Sequence, residues 1–205
     1  MSILKTPDEA DATGTVAQIY ADDRRSQGFV SEHTRLMALN PEAFVAWDTV
    51  TAAISAQLGL RRYELVTLAA ALGVRSTHCR LAHGQKALEV FSEDQLVHIA
   101  SDYRSAGLPD AEVAMMEFAE KVSTDATSMT DADSIRLRDL GFGDAEIANI
   151  AMAAAARNYY SKALQALGAA VDETPEMSNE LRAALVPWLS EPTGEPSQPK
   201  PADRG

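Results

Sequence analysis

Cysteine occurs once in the 205-residue sequence, at Cys79, and the residues spaced around it are of types that handle protons. His83 follows four residues later, and Ser76 precedes by three in the run Ser76-Thr77-His78-Cys79. If Ser76 caps a helix, Cys79 takes its third position, and Ser76, Cys79 and His83 share one face at i, i+3 and i+7. A thiol in the first helical turn feels the positive end of the helix dipole. A neighbouring imidazole, or Arg80, would favour the nucleophilic thiolate further. Glu64 belongs to the preceding segment, and a tight turn at 73–75 would fold it back so that its carboxylate orients or deprotonates the histidine. The expected order is carboxylate, imidazole, thiol. The same residues admit a plainer reading, in which Cys79 is a small buried hydrophobe and His83 a packed core or surface histidine. No metal is expected: Cys79 and His83 could supply two ligands, but His78 should point off their shared face and no second cysteine completes a set.

Helices must position these groups. Phe44, Trp47, Val50, Ile54 and Leu58 recur at spacings of three and four, which predicts one side of a core-facing helix. Asn40 and Pro41 suit its start and Gly59 its end. Residues 61–72 read as the next helix, with Gly73 as the left-handed residue that stops it. Ser76 then caps a helix to about residue 90, and Ser92 one to about 105. Pro109 and Asp110 open another carrying Val113, Met116, Phe118 and Val122. Thr130 and Asp133 resemble a capping box before 135–140, and Gly143 and Asp144 precede a long alanine-rich helix to about Leu167. Strand candidates are absent, so the expected fold is an all-α, single-domain helical bundle over residues 1–190. Residues 191–205 contain four prolines and no large apolar side chain, which predicts a disordered tail. Leu58-Gly59, Glu64, Ala69, Ala71 and Arg75 are echoed 82 residues later by Leu140-Gly141, Glu146, Ala151, Ala153 and Arg157, suggesting a repeated helix pair. Met115, Met116, Phe118, the Trp47 stripe and Tyr159-Tyr160 all read as packing.

Composition limits the partners. A formal net charge of −12 repels phosphate backbones and anionic lipid surfaces, so neither nucleic acid nor membrane is expected. No stretch looks apolar and long enough for a membrane span, and residues 1–11 carry no secretion signal. With a single cysteine, the reducing cytoplasm is the expected compartment. No glycine-rich phosphate loop or dinucleotide fingerprint appears, so no cofactor is implied.

Glu64, eleven intervening residues, Ser76-Thr77-His78-Cys79, three more and His83 resemble the signature of the alkylhydroperoxidase D-like (carboxymuconolactone decarboxylase) family. There a Glu precedes a Cys-x-His-Cys-x-x-x-His run by that spacing, and four of five positions match. The stretches ADATGTVAQIYADDRRSQGFVSEH, LNPEAFVAW and LRDLGFGDAEI, with Asn158, are similar to the family's peroxidase-related branch, over roughly residues 10–172. The resemblance implies an all-α bundle forming trimers or hexamers. It matches Cys79 to the peroxide-facing cysteine and Ser76 to the position of its disulfide partner, which closes the two-thiol cycle. A one-cysteine peroxidase is then implied, taking a hydroperoxide and an external thiol reductant. Glu64 and His83 would relay the proton, His78 would assist, and Ser76 would hydrogen-bond the thiolate or cap the helix. Two alternatives stay open. One is a lyase acting on a lactone, with His83 and Glu64 moving protons and Arg75 and Arg80 attracting the anionic substrate. The other is a catalytically inactive oligomeric binding protein.

Overall fold

The computed structural model describes residues 3–172 and 177–189. Nine α-helices and no strand occur among them: α1 (Gly14–Gln27), α2 (Glu32–Met37), α3 (Pro41–Gly73), α4 (Thr77–Ala87), α5 (Glu93–Asp102), α6 (Asp110–Asp125), α7 (Asp131–Asp139), α8 (Asp144–Leu167) and α9 (Asn179–Leu185). The all-α expectation holds. The proposed tail, 191–205, lies outside the described residues.

The second half of α3 is the axis of the bundle. Leu65, Val66, Leu68, Ala69 and Ala70 are consecutive or nearly so and all fully buried, because α4, α6 and α8 surround the helix. Apolar residues on every side of a helix leave no face for water, and such a helix must be enclosed. Its small alanines let neighbours approach closely. Met115, Met116 and Phe118 of α6 pack against it as expected.

Two glycines do different work from that read in the sequence. Gly59 does not end a helix: its backbone (φ 70°, ψ 158°) bends α3, which resumes at once, so the two expected helices are one kinked element. Gly73 is helical, and the left-handed residue of the following turn is Arg75, at φ 50°. Gly73 instead permits contact with α6, since a Cβ there would lie 2.8 Å from Ser123 Cβ and 3.1 Å from the Glu120 carbonyl oxygen. The echo between the two halves also stops early. Gly59 and Gly141 both take positive φ before the matched helices, but the second copy runs straight through α8 where the first turns into α4.

The Trp47 stripe departs from a simple core face. Thr51, Ile54 and Leu58 are buried, Phe44 and Trp47 are half-buried against a cavity, and Val50 is 51% exposed. The full length of α3 is long and apolar enough, by length and composition, to cross a membrane, which corrects the expectation that no such stretch exists. The apolar window lies mostly outside the core, in the exposed first half of α3, and not in the enclosed half.

Candidate active site

A cavity of about 910 Å³ opens between α1, the first half of α3, and the meeting of α4 with α8. Cys79, His78 and His83 of α4 and Arg157 and Tyr160 of α8 line its inner end. Ser76 caps α4, its hydroxyl accepting a hydrogen bond from the Cys79 amide at 3.4 Å. Ser76 is not among the cavity-lining residues; the cap sets where Cys79 sits in the first turn. Cys79 is 1% exposed and lines the cavity.

Glu64 and His83 meet as the turn at 73–75 allows: Nδ1 of His83 and Oε2 of Glu64 are 2.6 Å apart, and both side chains are buried. Burial raises the Glu64 carboxyl to about 7, and Lys86 and Arg157 only partly oppose it. Burial also holds His83 well below the usual imidazole range, with Arg157 and Lys86 adding to the effect. The pair is therefore a buried hydrogen bond between a neutral imidazole and a carboxyl raised toward neutrality. Such a carboxyl can both give and take a proton near neutral pH.

His78 does not point away. Its ring lies 4.4 Å from that of His33, and both line the cavity. Burial, with His33 as the next cause, lowers His78 to about 3, so it is a neutral imidazole, and its buried Nδ1 has no hydrogen-bond partner. His78 offers polarity to the cavity but no mobile proton.

The cation beside the sulfur is neither Arg80, which the sequence suggested for the thiol, nor Arg75, which it suggested for an anionic substrate. Arg80, one residue past Cys79, projects into the core. Its Nε donates to the Leu185 carbonyl at 2.7 Å and Nη2 to that of Ala100 at 2.9 Å, with further contacts to Leu68 and Ala184. It fastens α9 and α5 to the bundle. Burial lowers it to about 10, so it keeps its charge, though not for the thiol. Arg75 sits over the Trp188 ring and does not line the cavity. The cation is Arg157, whose Nη1 donates to Cys79 Sγ at 3.6 Å. Burial works against its charge, and the Cys79 sulfur, Tyr63 and Glu64 more than restore it. Trp47 and Tyr160 stack with centroids 4.1 Å apart, and the guanidinium lies 5.7 and 5.8 Å from them. Tyr160 packs in a buried apolar cluster, as read, and also forms a cavity wall, whereas Tyr159 is 49% exposed. One signal was available for Arg157: it is the lone cation after an alanine-rich run, where a charge must find a purpose or a surface.

No family model and no curated protein matches the sequence, whereas solved structures match its fold. The alkylhydroperoxidase AhpD core of a peroxidase-related protein from Ralstonia eutropha JMP134 superposes with a TM-score of 0.74, at 23% identity over 90% of this chain and 96% of the other. This is the alkylhydroperoxidase fold. A peroxidase-related protein from Silicibacter sp. TM1040 shares it at 0.73, 24% identity and 83% and 92% coverage. The debrominase Bmp8, in complex with 2,3,4-tribromopyrrole, shares it at 0.71, with 16% identity and 90% and 98% coverage. The alkylhydroperoxidase fold thus carries more than one chemistry.

Proposed function

We propose that the chain reduces hydroperoxides through Cys79, with Glu64 and His83 as its proton relay. The observation that carries this reading is the 2.6 Å Glu64–His83 contact at the inner end of the cavity that Cys79 lines. The Cys79 thiolate attacks the terminal oxygen of ROOH. An S–O bond forms, the O–O bond breaks, and the departing oxygen takes a proton from the relay to leave as ROH. Sulfur is oxidised by two electrons to a sulfenic acid. Ser76, a hydroxyl, cannot close a disulfide, so an external thiol condenses with the sulfenic acid, releasing water, and a second thiol frees Cys79 as the reductant's disulfide departs. With the sulfur 1% exposed, that thiol must be small enough to enter the cavity.

Intact-protein mass spectrometry after near-stoichiometric peroxide tests this. Rapid oxidation confined to Cys79 is expected, falling at least about tenfold, or roughly 1.4 kcal/mol of activation, in Glu64→Gln and His83→Ala. Oxidation no faster than that of a free thiol would overturn it.

A second reading takes its support from the stacked Trp47 and Tyr160 rings, which suit a flat ring beside the sulfur. A halogenated heteroaromatic could be reduced there, sulfur taking the halogen and the relay protonating the carbon. Bromide release from a bromopyrrole that depends on Cys79 and a thiol reductant, with no peroxide turnover, would favour it.

The active form is also proposed to be a homo-oligomer. The exposed first half of α3 has no charged residue from Thr49 to Leu60, and in a chain of net charge −12 that face is where two copies approach with little repulsion. A second copy is its proposed occupant.

A further inference from the structure

Arg157 has hydrogen-bonding capacity that pairing with the sulfur does not use. The residue is 4% exposed and lines the cavity, and no carboxylate pairs with it among the described residues. Nη1 is directed at Cys79 Sγ, while Nε is buried without a hydrogen-bond partner. The side chain cannot swing away easily, because Trp47 and Tyr160 lie against it and Trp47 Nε1 is itself tied to the Ala156 carbonyl at 3.5 Å. A fixed, desolvated cation with an unspent N–H beside a nucleophile is suited to stabilise charge that develops only during reaction.

Charge develops on the oxygen that departs. As the sulfur attacks, the O–O electron pair moves onto that oxygen, on the cavity side of Sγ, within the neighbourhood of a guanidinium 3.6 Å from the attacking atom. Resting on the hydroperoxide reading above, we infer that Arg157 is a catalytic residue that hydrogen-bonds the departing oxygen as the O–O bond breaks. The S–O bond forms and the O–O bond breaks heterolytically. Arg157 donates to RO⁻, and the Glu64–His83 pair supplies the proton that completes ROH. Sulfur loses the two electrons that the peroxide gains.

Leaving-group dependence separates this role from simple support of the thiolate. Hydrogen peroxide expels hydroxide, a poor leaving group that needs the donor. Peracetic acid expels acetate, which hardly needs it, and iodoacetamide reports the sulfur's nucleophilicity alone. Rates for all three are measured on the full chain as wild type, Arg157→Met and Arg157→Lys. Relative to its iodoacetamide rate, Arg157→Met should lose about a hundredfold with hydrogen peroxide and less than about tenfold with peracetic acid. Arg157→Met removes a buried charge and is expected to fold. Should it not, Arg157→Lys gives the same test, since a compact ammonium lacks the rigid spread of donors by which the guanidinium reaches sulfur and oxygen from one fixed position. Equal losses with both oxidants would overturn the role. Failure of the hydroperoxide reading looks different: wild-type Cys79 would alkylate normally yet react with neither oxidant faster than a free thiol.

Discussion

At the scale of single residues, the proposed mechanism makes Glu64 the group that sets how the site responds to pH. Its carboxyl, raised by burial to about 7, has to be protonated to supply the leaving oxygen, so peroxide oxidation of Cys79 should slow as pH rises through about 7. Alkylation needs no acid and should show no such decline. Stopped-flow oxidation against pH checks this: the descending limb should vanish in Glu64→Gln, which is slow throughout because an amide cannot pass a proton. A limb that survives the substitution would place the acid elsewhere. The contact of Glu64 with His83 was legible from the turn at 73–75, and the shared cavity of Cys79 and His83 from helical period within α4. Arg157 was not, because it reaches the sulfur across a helix–helix contact spanning 78 residues, which no local spacing encodes. Arg80 was misread for a related reason: the residue after Cys79 is turned roughly a quarter of the way round the helix, into the core.

At the scale of elements, the hairpin from α3 to α4 sets where the relay meets the thiol, and its closeness to α6 depends on Gly73. Alanine is the better helix former by about 1 kcal/mol. Here its Cβ would nonetheless meet Ser123 Cβ at 2.8 Å and backbone at 3.1 Å. Gly73→Ala should therefore lower the free energy of unfolding, by about 1–3 kcal/mol for an overpacked contact, as read from urea denaturation. An unchanged or raised stability would show that α6 yields freely. Helix starts were readable from their caps, as at Asn40, Ser76, Ser92 and Gly143, because a cap is a local hydrogen bond. Helix ends were less so. A glycine licenses a stop, a kink or a close approach equally, and only packing chooses among them at Gly59 and Gly73.

At the scale of the whole molecule, the bare first half of α3 forms one wall of the cavity and also its outer surface. Val50→Asp places a charge at the centre of that outer face, away from Cys79, and should shift the chain to smaller species in light scattering. An unchanged mass would put the contact elsewhere or remove it. The bundle itself was foreseeable from helical periodicity, but which half of α3 is enclosed was not, since apolar residues run through both halves and their difference arises from which helices pack on them. The depth of the only thiol carries a last implication. Two chains cannot bring their Cys79 atoms within bonding distance without unfolding, so oxidant should never staple one subunit to another. On a non-reducing gel, even heavily oxidised material should migrate as a single chain, and any ladder of covalent dimers would be a sensitive marker of partially unfolded protein.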